Sequence, residues 1–479
     1  MVQPRAGVSG VSRKQQLLRR HRRNKRVGLL VALVVLIALG VLVKWWLALM
    51  LLPLLWVAHE AWFADHLFYS PGDDYLYEFP EPCERVPVSL DGLVLRAPAS
   101  LSLSGDETLV LQVRVKSSLL GRFRDPGVEV SGEGEADLQG LERGVDGLRY
   151  LNLTGQAPAL LAGTLRIRGR CCRVVEAASL IVVRASDLRQ RRVMVIAPHA
   201  DDAELAAYGL YSQAEEAWVV TLTAGEIEAE HYQQMGLEPA QAARLKGRLR
   251  AWDSIAVPRW AGVPEAQCVQ LGYFCLQLPA MQAAPDQPVA SREADLSDTR
   301  LFRQLNALSL PGDQDGAPTW NNLLADLRAL IMQARPQVLV MPHPTLDPHP
   351  DHLCAQAAVL EALHGLQWQP ESVLYYANHL HDNDRWPMGD SGSGIALPPQ
   401  VEPGQAWAPY SLSLTLDTQR DKAMALGMMH DLQPRAPFKR RLRRLLQRWL
   451  AGRQPSPYGE NEFFRKAVRR HELFWRRDL

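Results

Sequence analysis

Residues 193–205 read VMVIAPHADDAEL, and this stretch decides the fold class. Its first five residues are all apolar and predict a short buried strand. The residues after the polar cluster of His199, Asp201 and Asp202 have the apolar spacing of a helix. A strand that passes through a polar loop into a helix is typical of a parallel sheet in an α/β protein.

The same alternation continues downstream. We predict strands at 193–197, 217–221 and 338–341, helices at 203–213, 239–256 and 319–334, and a long loop at 281–317. Strands alternating with helices indicate a Rossmann-like, doubly wound parallel sheet. Ligands of such sheets bind beyond the carboxyl ends of the strands, so polar residues at those ends are the candidate site.

A second polar cluster follows the strand at 338–341. Residues 338–352 read VLVMPHPTLDPHPDH and include His349 and His352. The segment Thr223-Ala-Gly225-Glu226 follows the strand between the two clusters. Because parallel strands end at one edge of the sheet, we expect these side chains to meet in one crevice.

Imidazole and carboxylate ligands suit zinc, and catalytic zinc keeps three protein ligands plus a water. Two histidines and one aspartate from the clusters satisfy that requirement. The remaining acid would act as a general base, and the remaining histidine would stabilise an oxyanion or donate a proton.

Three other interpretations remain. Two adjacent aspartates after a strand also serve as a helix N-cap and a solvated charge. The spacing His199-x-Asp201 with a distant histidine also matches the facial triad of non-haem iron oxygenases, although those sites usually lie on a double-stranded β-helix. The third is a non-catalytic glycan-binding or scaffold protein that works through its β-rich region.

Four segments together resemble the PIG-L/LmbE-like zinc de-N-acetylases. They are His199-Ala-Asp201-Asp202-Ala-Glu204, Thr223-Ala-Gly225-Glu226, His349-Pro-Asp351-His352, and the stretch from Lys422 through His430 to Gln433. The resemblance covers about residues 190–435, roughly half the chain. It implies hydrolysis of the N-acetyl group of an N-acetylglucosamine-type sugar.

The resemblance also implies roles for individual residues. His199, Asp202 and His352 match the zinc ligands, Asp201 matches the general base, and His349 matches the group that stabilises the oxyanion. His430 matches a C-terminal position without an assigned role. Ala200 stands where the family usually has proline, and Ala206-Ala207 replaces a glycine-rich helix start. Neither departure affects a predicted ligand.

The N-terminus differs sharply from the rest of the 479-residue chain, whose net charge is only +1. Residues 1–26 carry nine Lys/Arg and no acid, and apolar runs follow at 27–43 and after Lys44. These runs predict either a single membrane span with an interfacial helix or a hairpin turning at Lys44-Trp45-Trp46. The positive-inside rule keeps the basic tail in the cytoplasm. A hairpin returns the rest of the chain to the cytoplasm, and a single span exports it.

The predicted organisation has six parts: a basic cytoplasmic tail (1–26), a membrane segment (27–64), a linker (65–84), a β-sandwich domain (85–187), a PIG-L-like de-N-acetylase domain (190–435) and a basic amphipathic C-terminal region (436–479). The C-terminal region alternates basic residues with an apolar stripe that includes Leu445 and Trp449. It suits either an anionic membrane surface or packing on the catalytic domain.

The sequence therefore predicts a zinc-dependent de-N-acetylase anchored in a bacterial inner membrane. The expected substrate is an acetamido sugar of a surface glycoconjugate, such as lipopolysaccharide core or a lipid-linked precursor. The catalytic domain is expected in the cytoplasm, with the periplasm as the alternative. Charged residues make up 22 % of the chain and are nearly balanced, so no nucleic-acid partner is expected.

Overall fold

The computed structural model describes residues 13–64, 71–132, 134, 136–184, 187–380, 383–401, 404–434 and 436–479. Within them the chain is a mixed α/β protein with several sheets and an apolar N-terminal helix, which confirms the predicted class at that level. Arg5 of the predicted basic tail and residues 65–70 of the predicted linker lie outside the described residues.

Two apolar helices begin the described chain. Helix α1 spans Arg13–Ala38 and continues into a π-helical turn at Leu39–Val43. Lys44 is extended, and α2 then spans Trp45–Trp62. Segments Gln15–Val43 and Trp45–Trp62 are both long and apolar enough to cross a membrane, a property that signal sequences near an N-terminus also have. The helix break falls where the hairpin was expected to turn, and the topology stays a prediction.

The strands between residues 84 and 183 form two antiparallel sheets. The elements are β1 (Glu84–Pro87), β2 (Ser89–Asp91), β3 (Val94–Arg96), β4 (Thr108–Ser117), β5 (Gly127–Ser131), β6 (Asp137–Gly140), β7 (Asp146–Asn152), α3 (Ala157–Leu161), β8 (Arg166–Arg170) and β9 (Cys172–Val183). One sheet has the order β1-β9-β4-β7 and the other β2-β3-β8-β5-β6.

Strand β4 shows how the first of these sheets is packed. Successive side chains of a strand point to opposite faces. Leu109 and Leu111 pack into the core shared with the second antiparallel sheet, whereas Val110 between them packs into the core shared with the following α/β region. The sheet is therefore covered on both faces.

The remaining chain forms a seven-stranded sheet and its helices. The elements are β10 (Arg192–Ala197), α4 (Asp202–Tyr211), β11 (Glu216–Thr223), α5 (Glu230–Gln233), α6 (Pro239–Ala256), β12 (Cys268–Tyr273), α7 (Leu278–Ala283), α8 (Arg300–Arg303), α9 (Trp320–Ala334), β13 (Val338–Pro342), α10 (Pro350–Leu363), β14 (Ser372–Tyr376), β15 (Ala408–Ser413), α11 (Leu416–Met428), α12 (Phe438–Leu450), α13 (Glu462–Ala467) and β16 (His471–Asp478). The strand order is β12-β11-β10-β13-β14-β16-β15.

Five neighbouring strands of this sheet, from β12 to β14, are parallel. In β10, Val193 and Val195 pack into one core while Met194 and Ile196 pack into the other. Both faces of the sheet are thus covered, and for this reason the strand is apolar at every position rather than at alternate ones.

Strand β16 was not expected from the sequence. It lies between β14 and β15 and is antiparallel to both, so the sheet includes residues beyond the predicted boundary at 435. Charged residues such as Glu472 and Arg476 obscure its pattern, although residues 471–475 are buried. These residues are buried because β16 pairs with β14 and β15, and a local sequence pattern does not predict this pairing.

The predicted long loop at 281–317 is more ordered than expected. It contains the end of α7 and all of α8, and Phe302 is 1 % exposed. Arg303 donates to Asp326 of α9 at 2.8 Å, and both side chains are buried. This buried ion pair binds the segment to α9.

Candidate metal centre and active site

The two polar clusters lie side by side at the carboxyl edge of the sheet. Strands β10 and β13 are hydrogen-bonded neighbours, with Val193 opposite Val338. Helix α4 begins at Asp202, the last residue of the first cluster, and α10 begins at Pro350, inside the second. The strand neighbours and the helix starts together bring all five predicted site residues into one crevice.

The three predicted ligands converge on one carboxylate oxygen. Oδ2 of Asp202 lies 3.2 Å from Nδ1 of His199 and 3.2 Å from Nε2 of His352. A tetrahedral zinc ion with bonds of about 2.0–2.1 Å separates its donor atoms by roughly 3.3 Å, so these spacings fit a metal. Nε2 of His352 is buried and makes no hydrogen bond within the described part of the chain. A cation shared with the carboxylate would satisfy that nitrogen.

Two further residues orient these donors. Oδ2 of Asp347 lies 2.9 Å from Nδ1 of His352, which leaves Nε2 directed at Asp202. Asn378 donates to Oδ1 of Asp202 at 2.7 Å and leaves Oδ2 for the histidines. Outer carboxylates of this kind fix the tautomer and ring orientation of metal-binding histidines.

Three alternative groups of donor atoms occur in the same crevice. One consists of His199, His349 and His352, and a second of Asp202, His352 and His379. The third consists of His199, Cys275 and Asp351, and Nε2 of His199 lies 3.1 Å from Asp351. His199 could therefore serve either the predicted group through Nδ1 or the cysteine group through Nε2. Carboxylates at both ring nitrogens raise its pKa well above the usual value, although burial opposes this.

Asp201 has an unusual backbone conformation. Its φ is +99°, a region that side-chain-bearing residues rarely adopt, and such strain persists only where neighbouring structure imposes it. Arg250 of α6 supplies that constraint: its Nη2 donates to the carbonyl of Ala200 at 2.6 Å and lies 3.7 Å from Oδ2 of Asp201. Burial raises the pKa of Asp201 to about 7, against the attraction of Arg250.

The structure shows why the Thr-Ala-Gly-Glu segment has glycine at position 225. Its φ is +61°, and an added Cβ would lie 2.4 Å from Nε of Arg250. Glycine is thus required both by the backbone and by the close approach of the arginine. Glu226 next to it is fully buried and accepts from the backbone of Cys275 and the hydroxyl of Ser291, which makes it a support of the crevice wall.

His349 faces the same crevice from the start of α10. Its ring lies at right angles to that of His199, 4.9 Å away, and stacks on His379 at 5.3 Å. Burial and the neighbouring His199 and His352 lower the pKa of His349 to about 4, so it is neutral at pH 7. Its Nδ1 is buried without a hydrogen bond among the described residues. A neutral imidazole beside the ligands is placed to donate one hydrogen bond.

Lys422 and His430 belong to one segment of the sequence but lie at two different places in the fold. Lys422 forms a buried ion pair with Glu472 of β16 at 2.7 Å, which joins α11 to the sheet. His430 instead contacts Asp253 at 2.6 Å, and its neighbour Asp431 pairs with Arg250. Asp431 therefore shares the guanidinium group of Arg250 with Asp201.

Sequence reasoning missed five residues of the site. They are Arg250, Cys275, Asp347, Asn378 and His379. Asp347 lay within the quoted second cluster, and its position two residues before His349 was the signal that could have found it. The others are single side chains on distant elements, without a spacing that marks them.

Together these features define a hydrolase-type centre on a parallel sheet, with a His/Asp group that could hold a metal. Residues 194–363 match the model of the PIG-L family, described as GlcNAc-PI de-N-acetylase. This match, over about a third of the chain, confirms the resemblance found in the sequence and supports an amide-hydrolysing de-N-acetylase. The crevice holds Asp202, not Asp201, between the two imidazoles, unlike the pattern required for the iron-oxygenase interpretation.

Solved structures show weaker likenesses. An N,N'-diacetylchitobiose deacetylase from Pyrococcus horikoshii is 14 % identical, covering 61 % of this chain and 88 % of its own, with a TM-score of 0.33. The zinc-inhibited form of a teicoplanin deacetylase is 18 % identical, covering 59 % and 97 %, with a TM-score of 0.31. A conserved protein from Thermus thermophilus is 17 % identical, covering 54 % and 88 %, with a TM-score of 0.27. Among curated proteins none matches the chain.

Proposed function

We propose that this protein is a membrane-anchored, zinc-dependent de-N-acetylase. Its substrate would be an acetamido sugar of a surface glycoconjugate, such as lipopolysaccharide core or a lipid-linked precursor. The observation that carries the proposal is the convergence of His199, Asp202 and His352 on one point, within the segment that matches the family. When bound there, zinc would supply Lewis-acid chemistry, polarising the acetamide carbonyl and lowering the pKa of water to about 7.

Asp201 would serve as the general base. It follows the ligand His199 by two residues and is held towards the crevice by Arg250. Its carboxylate takes a proton from the water that attacks the carbonyl carbon, and then gives that proton to the nitrogen as the C–N bond breaks. The products are acetate and an amino sugar, which gains a positive charge at neutral pH.

His349 would stabilise the developing oxyanion. Its imidazole is neutral and keeps one N–H, and its ring lies against that of His199. A single donor aimed at such an oxyanion contributes about 2.7–4 kcal/mol to the barrier reduction. The stack on His379 and the start of α10 hold the ring in place before substrate arrives.

The membrane part of the proposal is supported by the two apolar helices and favours a lipid-linked or membrane-proximal glycan. Most apolar side chains of α1 from Val27 onward are exposed. A catalytic crevice attached to such helices would meet its substrate at the bilayer rather than in bulk solution.

The test uses the full chain purified in detergent. Bound metal is measured, and acetate release is followed from N-acetylglucosamine glycolipids and, separately, from soluble thiol-linked N-acetylglucosamine. Wild type is compared with Asp201→Asn, and with Asp417→Asn as a matched control because that side chain is 87 % exposed.

We expect near-stoichiometric zinc, acetate from the glycolipid, and an Asp201→Asn variant that keeps zinc but loses turnover. Activity on the soluble sugars alone would refute the lipid-linked substrate. Zinc without acetate release from any acetamido sugar would favour a glycan-binding protein, and absence of metal would overturn the proposed centre.

A further inference from the structure

A second cavity, of about 460 Å³, lies between α12 and the segment that follows it. It is distinct from the catalytic crevice and contains none of the predicted site residues. Its charged lining is strongly basic. The arginines are Arg385, Arg441, Arg444, Arg448, Arg453 and Arg465, and the acids are Glu460 and Glu462.

Three of the arginines have an acidic partner. Nε of Arg453 lies 2.8 Å from Asp125, Nε of Arg465 lies 2.6 Å from Glu462, and Nε of Arg441 lies 3.6 Å from Glu460. These pairs account for all of the acids that line the cavity.

The other three arginines are Arg385, Arg444 and Arg448. They give the lining of the cavity an excess of positive charge. Within the described part of the chain, their guanidinium groups make no hydrogen bond or ion pair. Nε of Arg385 is moreover buried without a partner. Burial and the charge of Arg453 lower the pKa of Arg385 to about 10, although the charges of Glu462 and Asp125 oppose this shift. An anion is the group that would offset this cost.

We propose that this cavity binds a phosphate group. Guanidinium groups present paired N–H donors that match the oxygens of phosphate, and several converging arginines are typical of phosphate recognition. A volume of about 460 Å³ also exceeds what the phosphate alone needs, and it lies within the range of sites that enclose a small organic ligand.

Two sources of phosphate fit, and the position of α12 favours a lipid headgroup. Nε of Arg443 on α12 lies 2.7 Å from Glu60, at the end of the apolar helix α2. On the same helix Phe438 is 79 % exposed and Trp449 is 73 % exposed. A basic helix with exposed aromatic side chains beside a membrane helix would lie at the level of the lipid headgroups. Free phosphate is the second source.

The experiment measures binding by the full chain in neutral detergent. Native mass spectrometry counts retained dioleoylphosphatidylglycerol, and dioleoylglycerol serves as the lipid without phosphate. Inorganic phosphate is titrated separately against chloride at equal ionic strength, both as a competitor and by the thermal midpoint. The test variant is Arg444→Gln/Arg448→Gln, joined by Arg385→Gln in a second variant.

The matched control is Lys439→Gln/Arg440→Gln. It removes the same charge from the same helix at exposed positions that do not line the cavity. Arg444 and Arg448 make no ion pair among the described residues, so their replacement should leave the fold intact, and the thermal midpoint without ligand checks this.

We expect one phosphatidylglycerol per chain, bound at least tenfold more weakly by both test variants and unchanged in the control. Binding of inorganic phosphate without the lipid, lost in the same variants, would keep the site and assign it to soluble phosphate. Equal binding of both lipids, or equal loss in test and control variants, would overturn the proposal. None of these outcomes depends on deacetylase activity.

Discussion

Oδ2 of Asp347 lies 2.9 Å from Nδ1 of His352, and both side chains are fully buried. Asp347 also accepts hydrogen bonds from the backbone of His349, Asn378 and His379. One carboxylate thus fixes both the orientation of a predicted metal ligand and the loops on either side of it.

The first prediction concerns Asp347→Asn. The amide keeps the size of the side chain but removes the charge that holds the His352 ring, so metal affinity should fall about 10–100-fold. Competition with a chromophoric chelator measures the affinity. Asp417→Asn, at an exposed position, should leave it unchanged. Equal affinities for Asp347→Asn and wild type would show that this contact does not orient the ligand.

The second prediction separates the cysteine group of donors from the groups that contain Asp202. Asp202→Asn should weaken metal binding by more than Asp347→Asn does, whereas Cys275→Ser should keep the metal. The reason is that Oδ2 of Asp202 lies 3.2 Å from a ring nitrogen of both His199 and His352. Cys275 belongs to the cysteine group, in which its Sγ lies 3.5 Å from Asp351. Metal content after dialysis measures both variants. The reverse result would move the metal to the cysteine group.

The third prediction concerns Arg250→Met. Loss of the guanidinium removes the cation beside the buried Asp201, leaves Asp431 paired with Lys246, and frees the strained backbone at Ala200-Asp201. We expect a loss of stability of about 3–5 kcal/mol and a lower kcat, with metal retained. Arg248→Met is the matched control, since Arg248 lies on the same helix and is exposed. Unchanged kcat in a folded Arg250→Met variant would show that the arginine does not position Asp201.

The fourth prediction is a pH dependence of stability. Nδ1 of His343 accepts from the backbone of Thr345 and Leu346, and burial lowers the pKa of His343 to about 3. The unfolded chain binds this proton near pH 6.5, so the contribution of His343 is complete above pH 6.5 and is lost as the pH falls towards 3.

His343→Gln keeps an acceptor that does not titrate. Between pH 7.5 and 5, wild type should therefore lose roughly 2 kcal/mol more stability than the variant. Denaturant unfolding of both chains at the two pH values gives this difference. Identical pH slopes for the two chains would contradict the assignment.

The fifth prediction concerns topology. The hairpin interpretation places residue 479 in the cytoplasm, on the same side as the basic tail. A C-terminal reporter that fluoresces only in the cytoplasm should then be active, and a reporter that is active only in the periplasm should be silent. The opposite result would assign a single span and an exported catalytic region.

The sequence predicts elements best where their signals are local. The helix at 239–256 has the predicted bounds, because Pro239 occupies its first turn and Glu238 and Gln241 form a capping box. The predicted site residues converge for an equally simple reason: their clusters follow β10 and β13, which are adjacent parallel strands.

Other parts of the site depend on tertiary contacts that no local sequence pattern predicts. Arg250 reaches the carbonyl of Ala200 from α6, and Asn378 reaches Asp202 from the end of β14. Both are ordinary residues in sequence terms. Strand β16 was missed for the same reason, because its partners β14 and β15 precede it by many residues.

The position of β16 constrains the order in which the protein can assemble during synthesis. Within the described sheet, β15 pairs only with β16, so it cannot join the sheet until residues 471–478 have left the ribosome. The apolar helices α1 and α2 are made far earlier. If these helices enter a bilayer, as we propose, their insertion would precede completion of the seven-stranded sheet, and the nascent chain would finish folding while already tethered.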